Sequence, residues 1–501
     1  MSGIKVLQLG KKDWSRMYSL PEIIDFQYAT VFDEKPSKPY DIVFLDRTPL
    51  EEEIGPLHKA CKAYTLFITE RVELKGNVMW LYKSRKGRRI ASHAVEQFLN
   101  QEARNYFPRP YGEKFQFKNL SISQNFTGCV RWYGNHSVCL QGEYGTKLSQ
   151  IAFWRNNIPV FQGQAIDLWL EYKKDDAVSI ALTVTQFVQG SISDVQQKWE
   201  FSEEELERVV RIDNGLPDGL IFVSLQASGE GELQIIALHD RYSRRGHGHF
   251  LPGGERYVTS DREEIFCYFD PGDMKPPLNV YFSGYKTMEG FEGYNLMRSM
   301  GSPFLLIAEA RLEGGCFYLG SAEYERILKK AVYRYMAELG FRSEQVIFSG
   351  LSMGTFGALY YGCDIRPHAL ILGKPLASIG DIAANERLLR PGGFPTSLDV
   401  VRYLGGNMER KTLEEMNDRL WNKFDRTDWN RTKFIVSYMI EDDYDPTAYK
   451  MLISRLQSED AQLYGKGIHG RHNDNTGAIV QWFSGQFEKI LWEDFRRKAE
   501  G

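Results

Sequence analysis

QVIFSGLSMGTFGALYYG, residues 345–362, decides how the rest of the chain is read. Val346-Ile347-Phe348 is a short apolar run that reads as a buried strand, and an apolar helical pattern starts directly after Gly354. Between them lies Gly350-Leu351-Ser352-Met353-Gly354, a G-x-S-x-G placed at a strand-to-helix junction. Glycines at these offsets let the backbone turn sharply enough to lift a serine hydroxyl above the carboxyl edge of a sheet. A pentapeptide this simple recurs by chance, so its meaning depends on what the neighbouring strands supply.

Those strands alternate with helices from about residue 260 onward, the mark of a mostly parallel α/β sheet. LNVYFSGY (278–285), PFLLIAEA (303–310), QVIFSG (345–350), HALILG (368–373), KFIVSYMI (433–440) and QLYGKG (462–467) are the expected strands. AEYERILKKAVYRYMAELG (322–340) predicts an amphipathic helix closed by Gly340, and the chain ends in a long helical pattern from Thr476. A charged, Gly/Pro-rich insertion over about 376–430 predicts a lid between sheet strands.

Two loops complete the chemistry that Ser352 would need. Glu441-Asp442-Asp443-Tyr444-Asp445-Pro446 follows one strand, and His469-Gly470-Arg471-His472 follows the next. Serine, acid, histidine is the chain order of α/β-hydrolases. A serine hydroxyl is a weak nucleophile until a histidine takes its proton, and the histidine needs a carboxylate to fix its tautomer. Asp442 is the first choice of acid, because it precedes Pro446 with D-x-x-x-P spacing; Asp443 and Glu441 are rivals. His472, directly before the last helix, is preferred over His469. For the oxyanion the elbow offers the backbone N–H of Met353, and the loop at Gly284-Tyr285 offers a second donor.

The remainder of the chain divides by texture. Strands at 4–9, 41–46 and 64–69 with a helix at 50–62 predict a small α/β unit over 1–108. The loop after its first strand, Gly10-Lys11-Lys12-Asp13, lacks a dinucleotide fingerprint. The basic run 83–89 reads as a solvated face. Residues 112–250 show period-two alternation, as in Val178-Ile180-Leu182-Val184, and predict a β-sandwich resembling a carbohydrate-binding module. AIDLWLEY (165–172), GLIFVSLQA (219–227) and GELQIIALH (231–239) are its other expected strands. Most of its aromatic rings should be core, with Trp132, Tyr133 and Trp154 the expected exposed ones. Arg244–His249 reads as linker rather than metal site. The hydrolase-like part then spans 260–501.

Composition sets outer bounds. With 501 residues, 43% hydrophobic content and a net charge of −4, the chain is an ordinary globular sequence with no basic excess to favour nucleic acid. No apolar run reaches the ~18 residues of a membrane span, and MSGIKVLQLGKKDW is too weakly apolar for a signal peptide. Six scattered cysteines suit reduced thiols, and together these features predict a cytoplasmic protein.

GLSMGTFGALYYG around Ser352, IEDDYDP around Asp442 and GIHGRHND around His472, with this order of regions, resemble a known family over nearly the whole length. The sequence is similar to the second member of the accessory secretory proteins of the accessory Sec system in streptococci and staphylococci. The resemblance implies a cytoplasmic protein, peripheral at the inner face of the membrane, that supports export of glycosylated serine-rich-repeat preproteins. It implies O-acetylation of their N-acetylglucosamine, with Ser352 as nucleophile, His472 as base and Asp442 as orienting acid; the family also places glutamate at the acid position. Implied partners are the first and third accessory secretory proteins and an accessory SecA-type motor. No cofactor is implied as bound; the acetyl donor is unidentified, acetyl-CoA being one candidate, and no P-loop-like phosphate cradle is visible.

Overall fold

A computed structural model of the chain describes residues 3–33, 36, 38–191, 193–389, 392–457 and 461–497. The expected lid therefore includes two residues, 390 and 391, that lie outside the described ones. Among the described residues the architecture is mixed α/β, built on three sheets.

The sheet that carries the elbow has eight strands. From edge to edge they are Glu255–Val258, Glu264–Asp270, Phe304–Glu309, Leu278–Phe282, Val346–Leu351, Ala369–Gly373, Lys433–Met439 and Gln462–Ile468. The first three pair antiparallel and the other pairings are parallel. The central strands are apolar on both faces because helices cover both faces. Val346–Leu351 lies between Leu278–Phe282 and Ala369–Gly373, so Ser352 emerges near the middle of the carboxyl edge. Helix Ala322–Leu339 closes at Gly340, φ 71°, as the sequence predicts, and the structure adds an N-cap in Ser321, which accepts from the Tyr324 N–H. The 376–430 insertion folds into three helices, Ile379–Leu388, Thr396–Gly405 and Arg410–Phe424.

The N-terminal sheet is five-stranded and parallel, in the order Ile24–Ala29, Ile4–Leu9, Ile42–Leu45, Leu66–Ile68, Arg88–Arg89. It is tied to the elbow sheet by side chains. Arg85 donates to Asp270 at 3.0 Å, and Trp80 Nε1 donates to the carbonyl of Asp273 at 3.3 Å. The basic run is thus not wholly a solvated face, since Arg85 is buried. Arg244 is likewise no loose linker residue: it is buried and donates to the carbonyls of Asn105, Phe107 and Phe250.

The middle sheet is antiparallel, and its inward residues, including Val138, Ile180, Leu182, Val223 and Ile235, form one apolar cluster. Two strands expected over 219–239 are one continuous strand, Gly219–Tyr242. Gly229 sits between two register shifts within it, and both Gly229 and Gly231 adopt positive φ values, 95° and 143°, so the ribbon carries a bulge where the sequence suggests a turn. Trp132 and Tyr133 are exposed, as anticipated, whereas Trp154 is core at 2% exposure. No described helix is long and apolar enough to cross a membrane.

Candidate active site

Ser352 sits at φ 52°, ψ −121°, a region that costs a non-glycine residue about 1–3 kcal/mol. The surroundings hold it there. Its N–H donates to the Gly373 carbonyl at 2.8 Å, and its own carbonyl accepts from the Thr355 N–H and hydroxyl at 2.9 and 2.6 Å. The flanking glycines are steric requirements: a Cβ on Gly350 would lie 2.4 Å from the Gly354 carbonyl, and one on Gly354 would lie 2.1 Å from the Phe282 oxygen.

The hydroxyl of Ser352 meets His472 Nε2 at 2.8 Å, and His472 Nδ1 meets Asp442 Oδ2 at 2.8 Å. His472 and Asp442 are both buried. The other Asp442 oxygen accepts the N–H groups of Tyr444 and Asp445, at 2.8 and 3.1 Å. Burial alone would raise this carboxyl, but the imidazole and the two N–H donors outweigh it and hold Asp442 below the usual carboxylate range. The rival acids are placed elsewhere. Asp443 accepts the backbone N–H of His472 at 3.0 Å, while Glu441 pairs in solvent with His469, whose side chain is 84% exposed. A carboxylate that bonds Nδ1 leaves Nε2 free to take a proton from the serine.

The two expected oxyanion donors fare differently. The N–H groups of Met353, at the start of helix Met353–Ile365, and of Tyr285 meet no acceptor among the described residues. Gly284 is a correction: its N–H donates to Glu292 Oε2 at 2.7 Å and is not available to a substrate oxygen. The Glu292 N–H in turn donates to Ser283 Oγ at 3.1 Å, so the loop is clipped at two points.

Three features here are absent from the sequence reading. Tyr444 stacks on His472, and Phe394 from the insertion stacks on Tyr444. Lys374, just beyond strand Ala369–Gly373, is buried and donates to Thr476 at 3.3 Å; burial lowers its ammonium, opposed by the charges of Asp442 and Glu292. A cavity of about 500 Å³ borders the elbow at Met353 and Gly284 and is walled on its far side by the middle sheet. Tyr444 stands in plain view in IEDDYDP, but nothing local signals its stacking. The cavity joins residues more than a hundred positions apart and has no local signature.

The sequence profile described as the accessory Sec system GspB-transporter matches residues 4–497. The chain is 35% identical over 506 residues to an accessory Sec system protein of Streptococcus gordonii, covering 99% of each. It is 35% identical over 515 residues to the corresponding Staphylococcus aureus protein, covering 98% of this chain and 97% of that one. A solved structure of a Glycosylation Associate Protein (Gap123) complex from Streptococcus agalactiae contains a chain 34% identical to this one, with a TM-score of 0.87 and 99% of both chains covered.

Proposed function

The chain belongs to the accessory Sec system GspB-transporter family, and from that membership we propose that it is a serine-dependent O-acetyltransferase acting on exported glycoproteins. It is a component of the accessory Sec system. The proposed acceptors are N-acetylglucosamine residues on serine-rich-repeat preproteins, modified in the cytoplasm at the inner face of the membrane before export. The proposed partners are the first and third accessory secretory proteins and the SecA-type motor; the similarity to a chain solved within a Gap123 complex supports work in an assembly. The three sheets support a division into units over 1–108, 112–250 and 260–501, the last of α/β-hydrolase type.

The observation that carries the reading is the hydrogen-bonded line from Ser352 through His472 to Asp442, with 2.8 Å at each step. Ser352 Oγ attacks the carbonyl carbon of an acetyl ester or thioester while His472 Nε2 takes the hydroxyl proton. The N–H groups of Met353 and Tyr285 receive the oxyanion. His472 returns the proton to the departing alcohol or thiol, leaving acetyl-Ser352. A sugar hydroxyl then gives its proton to His472 and attacks the same carbonyl, and on collapse the Ser352–acyl bond breaks and His472 returns that proton to Ser352 Oγ, freeing Ser352 and the O-acetyl sugar. Water in place of the sugar would make the reaction an esterase.

Mass spectrometry of the adhesin glycan tests this. Ser352→Ala cells should lose acetyl mass from the glycan. An unchanged acetyl content overturns the assignment, and an increased one turns it into an esterase.

A further inference from the structure

The cavity beside the elbow is built by two sheets. The middle sheet brings Phe117 and the hairpin tip Asn135-His136, and the elbow sheet brings Gly284, Glu313 and Met353. The tip is fastened to the insertion: the Asn135 N–H donates to Asp399 at 3.2 Å, and the His136 ring leans on Tyr403 with centroids 5.0 Å apart.

The protons on His136 follow from its neighbours. Gln234 Nε2 donates to Ser137 Oγ at 2.8 Å, so the Ser137 hydroxyl proton is free to go to His136 Nδ1, also 2.8 Å away. Nδ1 is then an acceptor and Nε2 carries the hydrogen. Burial, followed by the charges of Lys114 and Lys173, depresses the imidazole to about 4, so the ring is neutral near pH 7. His136 Nε2 is itself buried and has no hydrogen-bond partner. A buried N–H without an acceptor is costly, and such a group calls for an explanation.

The remaining lining says what chemistry would supply the acceptor. Arg311 is paired with Glu309 and Glu263, and Lys114 and Lys286 each donate to one backbone carbonyl, of Leu312 and Phe291. Five glutamates against four lysines and arginines line the cavity, so its charge as a whole does not favour a polyanion, and one of the four cations, Lys118, is exposed. The Glu313 backbone carbonyl accepts from the Thr396 hydroxyl at 3.0 Å, but its carboxylate has no hydrogen-bond or ion-pair partner among the described residues. One unpaired neutral donor, one unpaired carboxylate and aromatic walls at Phe117 and Tyr403 suit a neutral hydroxylated ring and not a polyphosphate. The volume, about 500 Å³, lies in the range of small-ligand sites.

We propose that this cavity is a sugar subsite in which His136 Nε2–H donates to a ring substituent oxygen and Glu313 accepts from a hydroxyl. The middle sheet is then a working wall of the active site and not a separately acting module. The inference rests on the reading of Ser352 as an acyl carrier for a sugar hydroxyl.

The test is titration of the full-length chain, in wild-type and Ser352→Ala form, with methyl β-glycosides of glucose and N-acetylglucosamine, read by saturation-transfer NMR. Both forms should bind. His136→Phe should weaken binding at least about tenfold, His136→Gln, which keeps an N–H donor, should stay within about threefold, and coenzyme A should not compete. Glu313→Ala provides a second variant at a less buried position and should also weaken binding. Absence of glycoside binding, equal affinity in both His136→Phe and Glu313→Ala, or displacement by coenzyme A overturns the subsite. Binding does not use the nucleophile, so failure here is distinct from an unaltered glycan in Ser352→Ala cells.

Discussion

Tyr444 lies flat against His472, with ring centroids 4.3 Å apart and an angle of 7° between the planes. Phe394 also stacks on Tyr444, at 5.6 Å and 8°, and the Tyr444 hydroxyl donates to the Gly393 carbonyl at 3.0 Å. The insertion therefore reaches the proposed base through an aromatic stack. Such pairs are worth about 0.5–1.5 kcal/mol beyond their buried area. Tyr444→Ala should lower kcat for acetyl-ester hydrolysis about 3- to 10-fold, whereas Tyr444→Phe, which keeps the stack, should stay within about twofold. Equal losses in the two variants would assign the effect to the hydroxyl instead.

The acid assignment is tested by a series across the 441–443 loop. Asp442 alone among the three bonds the His472 ring, at 2.8 Å, so Asp442→Asn should cost about 10³–10⁴-fold in kcat by stabilising the wrong tautomer. Ser352→Ala and His472→Ala should cost at least as much, and a double variant no more than the single ones, because the three act as a unit. Glu441→Gln should change kcat less than about twofold, since its partner His469 is out in solvent. Steady-state rates on a nitrophenyl acetate ester read all five.

What was legible in the sequence was whatever local geometry demands. An elbow needs small residues at fixed offsets, because Gly350 and Gly354 leave no room for a Cβ, and strand ends present the acid and the histidine in short loops. The Gly284 donor was misjudged because glycine signals only close approach; the carboxylate that takes its N–H arrives eight residues later from Glu292. The continuous strand Gly219–Tyr242 was missed because Gly229 and Gly231 carry the same signal in a bulge as in a turn. Arg85 reads as part of a solvated face and Arg244 as linker because what buries them is supplied by segments far along the chain.

Arg85 and Asp270 form a buried pair between the N-terminal and elbow sheets, with side-chain exposures of 6% and 1%. Removing one member of such a pair leaves the other charge uncompensated, at a cost of about 3–5 kcal/mol. Arg85→Ala should therefore lower the denaturation midpoint clearly, and Asp270→Asn in the same chain should restore part of the loss. Urea unfolding followed by tryptophan fluorescence checks this, and a double variant no better than Arg85→Ala would remove the ion pair as the cause.

Asp240 should make stability depend on pH in the direction opposite to Asp442. It is buried with one oxygen unpaired; burial first, then the nearby Glu113 and Glu289, push its carboxyl from 3.8 to about 8. The native state keeps the proton that the unfolded chain releases, so the group costs nothing below 3.8 and a growing amount as pH rises from there through about 8. Asp442 is held below 3.8, so its contribution is present above that value and is lost as pH falls through the lower native one. Asp240→Asn should raise Tm by a few degrees at pH 8 and by less at pH 5, as read by differential scanning fluorimetry. A shift of the same size at both values would make the gain steric.

Glu292 sets geometry against charge at the oxyanion loop. Its carboxylate holds the Gly284 N–H at 2.7 Å and its backbone N–H holds Ser283 Oγ at 3.1 Å, which fixes the turn that presents Tyr285. The same negative charge next to a developing oxyanion opposes the transition state. Glu292→Gln keeps an oxygen to accept the Gly284 N–H and removes the charge, so kcat should hold or rise a few-fold. Glu292→Ala removes both, and the freed loop should cost about tenfold, equivalent to about 1.4 kcal/mol of barrier. KM for a small acetyl ester should change little in either variant, because the loop acts on the oxyanion and not on the ground state. Equal losses in the two variants would show that the charge itself is needed, and the buried Lys374, which feels both Glu292 and Asp442, would then be the group it serves.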